Sequence, residues 1–224
     1  MNTVDLEAAE ALIRSAPTQL RGCDHPRITV AAGIEASAKP RLRYSETELA
    51  RLLDMFRTRN ATATKSGLAI LEIGLDSGMP HLIWRTVAGT VVTVEPDFSK
   101  ALSFVSSLRD DEGSQFIVGP LNSPVTARSL RLRFPNISFD MVVFNGPLYN
   151  SSAIASLWAL YDTFAKPGAP IVFPEASDES PSQGVLTFIA MLKGGQFGEE
   201  FKNTEFNFIV EEHSRQGFAY YFSA

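Results

Sequence analysis

The feature that most constrains this chain is a stretch of about thirty residues in which two apolar runs each end at an acid. The first run, residues 68–74 (LAILEIG), contains Glu72 and ends at Gly74, and Gly78 follows after a short gap. After a helix-length segment, a second run (TVVTVE) ends at Glu95. Buried parallel strands are continuously apolar, and a crossover of a dozen or more residues must join them. The stretch therefore predicts a βαβ unit with a tight glycine turn after its first strand.

The same alternation continues over most of the chain. The predicted strands are residues 68–74, 90–95, 115–118, 139–144 and 170–174. The predicted helices of this part are residues 80–88, 98–109, 124–133, 151–165 and 182–193. Strand-length apolar segments separated by helices are typical of a parallel sheet with helices on both faces.

The C-terminal segment changes this pattern. The sequences FKNTEFNFIVEE and FAYYFSA read as two strands joined by the short loop HSRQG. So short a connection requires an antiparallel pair. We therefore predict an α/β fold with three layers, in which a Rossmann-like, seven-stranded, mostly parallel sheet ends in a C-terminal antiparallel hairpin.

Two regions are predicted along the chain, an N-terminal helical extension or lid (residues 1–66) and a ligand-binding domain (residues 67–224). Within the extension, residues 5–16 read as a short helix, and residues 17–44 are irregular and suit either a lid or a contact in a homodimer. A second helix follows Ser45, which is a good N-cap, and Glu48 completes a capping box.

Composition narrows the environment and the partners. The chain has 224 residues, a net charge of −5 and one cysteine, so an internal disulfide is excluded. The lone cysteine and the acidic N-terminus predict a cytoplasmic protein. No apolar run approaches the ~20 residues of a membrane helix. Residues 67–224 hold ten basic against seventeen acidic side chains, which disfavours nucleic acid. A small molecule is the expected partner.

The glycine turn indicates which nucleoside could bind. A dinucleotide site needs the pattern G-x-G-x-x-G, and here the three glycine positions hold Gly74, Asp76 and Met79. The pyrophosphate requires close approach to the backbone at the second position, where the carboxylate of Asp76 would repel it. A nicotinamide or flavin dinucleotide is therefore disfavoured.

Several segments, in register from residue 45 to residue 224, resemble the class I S-adenosylmethionine-dependent methyltransferases. LEIGLDSG is similar to their first motif, and VVTVEPD to the second, whose acid binds the ribose. FDMVVFNGP is similar to their fourth strand, and FAKPGAPIVF to the entry into their fifth. The first motif without its middle glycine also resembles a branch of the family that acts on small molecules or sugars.

The resemblance implies S-adenosylmethionine as cofactor and a set of residues around it. Glu72 would support the turn, Glu95 would accept the ribose hydroxyls, and Asp76 would either pair with the ligand ammonium or mark a site that no longer binds. The remaining positions implied to line the cofactor are Gly74, Leu75, Gly78, Pro96, Leu121, Asn122, Asn145 and Gly146.

The reaction implied is methyl transfer, and its catalytic residues are predicted at the strand ends. Asn145 follows the fourth strand, beside the methyl donor, and His213 lies in the loop of the C-terminal hairpin, at the same edge. A metal is not expected, because Asn145 and Glu175 make a thin ligand set for Mg²⁺. His81, at the start of the first helix of the domain, is predicted to be a surface or capping residue.

Three functions remain open from the sequence. The first is a methyltransferase that acts on a small molecule, with oxygen as the expected acceptor. The second is a catalytically inactive methyltransferase-like module for binding or assembly, which Asp76 and the Asn145 position favour. The third, a dinucleotide oxidoreductase, requires glycines that the chain lacks.

Overall fold

The computed structural model describes residues 45–108, 113–145, 150–177, 183–212 and 217–223. The strands are β1 (Ala69–Ile73), β2 (Thr90–Glu95), β3 (Ser114–Val118), β4 (Met141–Phe144), β5 (Pro170–Pro174), β6 (Asn207–Ile209) and β7 (Phe218–Phe222). The helices are α1 (Glu46–Arg59), α2 (Met79–Val87), α3 (Phe98–Ser107), α4 (Pro124–Arg133), α5 (Ser151–Tyr161) and α6 (Gly184–Lys193). Short 3₁₀ turns cover Lys65–Gly67, Asp162–Phe164 and Glu199–Phe201.

The strands form one sheet in the order β3-β2-β1-β4-β5-β7-β6. Strands β1 to β5 are mutually parallel, whereas β7 is antiparallel to both β5 and β6. The predicted fold class is therefore confirmed, including the reversed strand of the C-terminal hairpin. The chain leaves β1 toward one edge and later returns to its other side at β4, so the order reverses there. Ligands of open α/β sheets bind at such a reversal, beyond the carboxyl ends of the strands.

Each face of the sheet carries its own apolar core. On one face, α1 and α2 pack against the sheet, with Leu52, Phe56 and Trp84 among the fully buried side chains. On the other face, α4, α5 and α6 bury Trp158 and Phe188 among their contacts. The three-layer arrangement follows, because the central strands β1, β4 and β5 are buried along their whole length and need cover on both faces.

Helix α1 is anchored at both of its ends. The capping box predicted at its N-terminus is present, with the Glu48 amide donating to Ser45 Oγ (3.0 Å) and the Ser45 amide to Glu48 Oε2 (3.2 Å). At its C-terminus, Arg59 Nε donates to the Gly168 carbonyl (2.6 Å), and the guanidinium lies 3.8 Å from the ring centre of Phe222. Between these ends, the apolar side chains of α1, which the sequence assigned to the extension, share a core with β1.

Other parts of the extension fall outside the described residues. The helix predicted at residues 5–16 and the lid or dimer contact predicted at residues 17–44 therefore stay predictions. Within the described ranges, the structure contains no helix that is both long enough and apolar enough to cross a membrane.

Candidate functional site

The loop between β1 and α2 runs in the left-handed region of backbone space at three positions. Gly74, Asp76 and Gly78 have φ values of 93°, 48° and 81°. The Gly74 amide donates to the Val94 carbonyl (2.8 Å), and the Gly78 amide closes a turn on the Leu75 carbonyl (2.8 Å). Left-handed backbone is inexpensive for glycine, which explains two of the three residues found here.

Asp76 occupies the third left-handed position without being glycine. Aspartate and asparagine tolerate this conformation better than most residues, because their short polar side chains bond locally. The backbone shape of a glycine is therefore kept, while a carboxylate is added at the surface of the loop. The sequence alone does not reveal that this residue adopts a left-handed conformation.

Gly78 is also fixed by close packing. A Cβ atom at this position would lie 2.4 Å from Cε2 of the Phe104 ring. Phe104 belongs to α3, so the missing side chain lets α3 approach the start of α2, where Gly78 is the N-cap. The predicted loop glycine thus shapes the turn through its conformation and its lack of a side chain.

Glu95, at the end of β2, binds this loop through its carboxylate. Leu75 N–H donates to Glu95 Oε2 (2.9 Å) and Asp97 N–H to Oε1 (3.0 Å), while Lys100 Nζ lies 3.3 Å from Oε2. The side chain is only 3% exposed. Among the described residues, Oε1 has one donor, so it retains capacity to accept a second hydrogen bond. Glu95 therefore holds the glycine loop against β2 and keeps acceptor capacity.

Glu72 and Asn145 meet beneath the loop. Asn145 Nδ2 donates to Glu72 Oε1 (2.7 Å), and the Thr93 hydroxyl donates to Glu72 Oε2 (2.7 Å). Glu72 is fully buried and Asn145 is 7% exposed. The sequence placed Glu72 in the first strand and Asn145 after the fourth, and the sheet order makes these two strands neighbours. Their geometry turns the Asn145 amide inward to Glu72.

His81 is fully buried, so its prediction as a surface or capping residue is wrong. Its Nδ1 lies 2.8 Å from the Thr93 hydroxyl and 3.3 Å from Glu72 Oε2, and its Nε2 lies 2.8 Å from the Ser114 hydroxyl. The ring stacks on Phe116 with centroids 5.3 Å apart. Helix α2 is buried over nearly its whole circumference, which a single apolar stripe does not reveal. The polar Thr93 inside an apolar strand was the signal available in the sequence.

The remaining predicted site residues are more scattered. Pro96 and Asn122 are exposed at the ends of β2 and β3, whereas Leu121 is buried in the core beside α4. Gly146 and His213 lie outside the described residues, so their roles stay predictions.

Backbone strain in the described residues concentrates at the carboxyl edge. The three non-glycine residues with positive φ there are Asp76 after β1, Glu175 after β5 and Gln183 at the start of α6, with φ of 48°, 61° and 44°. Such residues cost of order 1–3 kcal/mol each and cluster at functional sites. The sequence singled out Asp76 for its charge, and Glu175 as a possible metal ligand and a rim candidate for a base.

A cavity of about 390 Å³ lies at the opposite, amino edge of the sheet. Its lining includes Ser66, Thr90 and Lys166, and the Lys166 ammonium is already paired with Asp140 (2.7 Å). It is separated from the strained loops by the length of the strands. In the described part of the chain, no three histidine, cysteine or acidic side chains are grouped to hold a metal ion.

Comparison with known proteins identifies the fold that carries this geometry. Neither a protein-family model nor a curated protein matches the sequence. Solved structures do match: the O-methyltransferase of Bacillus cereus with S-adenosylhomocysteine is 17% identical, with 90% of this chain and 91% of that chain covered and a TM-score of 0.58. TomG from Streptomyces achromogenes, an O-methyltransferase of tomaymycin synthesis in complex with S-adenosylmethionine, is 19% identical, with 92% and 89% covered and a TM-score of 0.55. The chain has the class I S-adenosylmethionine-dependent methyltransferase fold.

A third structure with this methyltransferase fold differs in its acceptor. The N-methyltransferase NodS from Bradyrhizobium japonicum, in complex with S-adenosylhomocysteine, is 12% identical, with 89% of this chain and 99% of that chain covered and a TM-score of 0.56. At these identities the likeness concerns the fold. In the class I methyltransferase fold of the present chain, Glu72, Gly74, Gly78, Glu95 and Asn145 lie at one sheet edge.

Proposed function

We propose that this protein is an S-adenosylmethionine-dependent methyltransferase that acts on a small-molecule acceptor, with oxygen as the methylated atom. The observation that carries the proposal is the hydrogen bond from the Leu75 amide to Glu95, which holds the left-handed glycine loop where the strand order reverses. A carboxylate with a spare acceptor direction beside a loop of this shape suits a nucleoside with free ribose hydroxyls.

The residues present fit this cofactor better than a dinucleotide. Gly74 and Gly78 provide the left-handed turns that shape the loop beneath the proposed methionine chain. Asp76 adds a negative charge that would repel a pyrophosphate and attract the ammonium of S-adenosylmethionine. Pro96, exposed at the end of β2, offers an apolar border for the adenine, and Asn122 offers a polar one from β3.

The mechanism assigned to the chain is mainly alignment. Bound S-adenosylmethionine supplies a methyl group activated on a sulfonium. The loop and Glu95 would hold the nucleoside, and Asp76 would hold the ammonium, so that the methyl group faces the acceptor in line. An oxygen acceptor must also lose a proton, for which the candidate bases are Glu175, directly after β5, and His213, which the sequence predicts at the same edge. We propose Asn145 and Gly146 as the strand-end residues beside the methyl group.

The choice of acceptor draws on the structural neighbours. Two of them, from Bacillus cereus and Streptomyces achromogenes, are named as O-methyltransferases, and NodS is named as an N-methyltransferase. Oxygen is therefore the proposed acceptor atom, and a free amine is the variant to include in an activity screen. Binding of cofactor without any turnover would favour the inactive, methyltransferase-like module.

Calorimetric titration tests the proposal. We expect micromolar binding of S-adenosylmethionine and none of NAD. Glu95→Gln should weaken binding about tenfold or more, because a charge-assisted hydrogen bond to the ribose is lost. Asp76→Asn should weaken S-adenosylmethionine binding severalfold through the lost ammonium pair. Glu199→Gln, at an exposed remote acid, is the matched control and should bind like the wild type. Absence of cofactor binding in the wild type would refute the proposal.

A further inference from the structure

A row of polar side chains crosses the sheet under the glycine loop. On the face covered by α2, the residues nearest the amino ends of β1, β2 and β4 are apolar, with Ile70, Val91 and Met141 in one core. Side chains alternate between faces along a strand, so the same face continues with Glu72 and Thr93 side by side, and on β4 with Val143 and then Asn145 just past the strand end. The row is therefore a specific polar insertion in an apolar layer. Buried polar groups of this kind require complete hydrogen bonding.

Hydrogen-bond geometry determines where the protons lie in this row. Glu72 Oε2 can only accept, so the Thr93 hydroxyl at 2.7 Å donates to it. With its single proton used, Thr93 accepts from His81, whose Nδ1 lies 2.8 Å away. His81 Nδ1 must therefore carry a proton, and this proton also faces Glu72 Oε2 at 3.3 Å. The opposite tautomer would direct the Nδ1 lone pair at the carboxylate.

Among the described residues Glu72 has three donors, of which one is His81 and a second, Thr93, is itself hydrogen-bonded to His81. The third donor is Asn145 Nδ2, on the other carboxylate oxygen. With the His81 side intact, the buried carboxylate is held in one orientation and accepts the hydrogen bond of the Asn145 amide at the strand end. Without it, Glu72 would lose its fixed orientation, and the end of β4 and the loop after β1 would lose their common support.

The far end of the row reaches the edge strand. His81 Nε2 lies 2.8 Å from the hydroxyl of Ser114, which is half-buried at the start of β3. Phe104 and Phe116 flank the imidazole ring, with centroids at 5.3 Å in both pairs. These aromatic rings restrict the ring orientation, so the imidazole is preorganised toward Thr93 and Ser114.

We propose that His81 is a positioning residue of the cofactor site, which acts with Thr93 to orient the buried Glu72 carboxylate toward Asn145. This inference rests on the proposed function, because the site that it supports is the S-adenosylmethionine site. His81 touches no ligand in this account, and its effect on binding is transmitted through Glu72.

The test uses binding of S-adenosylhomocysteine by calorimetry. His81→Phe keeps a ring but removes both nitrogens, and Thr93→Val removes the relay with little change of shape. Both should weaken binding about tenfold or more. His81→Asn keeps a donor at the Nδ1 position and should bind within about threefold of the wild type. Thr86→Val removes a buried hydroxyl of α2 that donates to the Ile83 carbonyl (2.7 Å) and bonds no member of the row. It is the matched control and should also bind within about threefold.

A double-mutant cycle and a spectroscopic signature separate positioning from a merely structural role. Glu72→Gln should weaken binding, and adding His81→Phe should then cost little more, because both changes disable the same carboxylate. Long-range ¹H–¹⁵N NMR of the free protein should show the His81 proton on Nδ1. If His81→Phe does not fold, Thr93→Val and the NMR signature carry the test.

Separate outcomes identify separate failures. If the wild type binds S-adenosylhomocysteine and His81→Phe or Thr93→Val binds equally well, the positioning role is wrong while the proposed function stands. A proton found only on Nε2, or His81→Asn as weak as His81→Phe, would also overturn it. If the wild type binds no S-adenosyl ligand, the proposed function fails and the role of His81 in it fails as well.

Discussion

At the scale of single residues, the site depends on loop positions with a left-handed backbone, one of which is glycine and one of which carries a side chain. Gly78 combines a left-handed backbone with contact to the Phe104 ring, whereas Asp76 keeps the left-handed backbone and adds charge. Gly78 thus serves the packing of the loop, and Asp76 supplies its charge. Substitutions there have effects that depend on which of these two properties changes.

Gly78→Ala should be strongly destabilising. Its Cβ would overlap the Phe104 ring, and a left-handed alanine costs roughly 1–2 kcal/mol even without that overlap. We expect a loss of about 2 kcal/mol or more in the free energy of unfolding, measured by urea denaturation. Phe104→Leu in the same chain should recover part of the loss. No loss in Gly78→Ala would show that the loop and α3 are not packed as described.

Tyr161→Phe should leave stability unchanged or raise it by about 1 kcal/mol. The Tyr161 side chain is fully buried, and its hydroxyl has no hydrogen-bond partner within the described residues. Removal of an unpaired buried hydroxyl removes an unfavourable desolvation. Burial also raises the pKa of Tyr161 from 10.0 to about 12. The unfolded chain ionises this phenol from pH 10.0 upward, whereas the folded chain keeps it neutral to about pH 12, so the wild type loses stability over this range. Thermal melts should therefore show a smaller alkaline loss of stability in the variant.

At the scale of elements, the start of α1 and the end of β6 form a clamp near the site. Glu48 Oε1 accepts from the Glu211 amide (3.0 Å), and hydrogen bonds from Ser45 and Thr47 lower the pKa of the Glu211 carboxyl. A carboxylate at a helix N-terminus is also favoured by the helix dipole. The clamp fixes α1 where the loop predicted to hold His213 begins.

Glu211→Gln should reduce stability in a pH-dependent way. Because the folded pKa is lowered, the stabilising effect of Glu211 is present above its unfolded pKa of about 4.5 and is lost as pH falls through the folded value. Thermal melts should therefore show a lower melting temperature for the variant at neutral pH and convergence with the wild type in acid. Glu205→Gln, at an exposed acid before β6, is the control. A difference that is independent of pH would contradict this role.

At the scale of the whole molecule, the sequence predicted the sheet more completely than the site. Continuous apolar runs located β1 to β5, and the short loop before β7 fixed its antiparallel direction. Element ends were less predictable: the helix predicted over residues 151–165 ends at Tyr161, where a 3₁₀ turn begins. The family resemblance singled out Glu72 as a support of the turn and Glu95 as a ribose ligand, and these two roles stay predictions.

Tertiary packing determined the rest. The burial of His81 depends on Phe104 of α3 and Phe116 of β3, which pack against its ring, and no local pattern contains that information. The inward turn of the Asn145 amide likewise depends on Glu72, which lies on another strand. Left-handed conformations at Asp76 and Glu175 arise from loop closure between elements. These features concern how elements meet, and residue periodicity describes each element separately.

The position of a bound cofactor tests the central claim most directly. We predict that a crystal structure with S-adenosylhomocysteine will place the ribose hydroxyls on Glu95 Oε1 and the methionine part along Gly74–Gly78. The adenine should lie between Pro96 and the end of β3. A ligand bound instead in the cavity beside Lys166, or ribose hydroxyls remote from Glu95, would contradict the account.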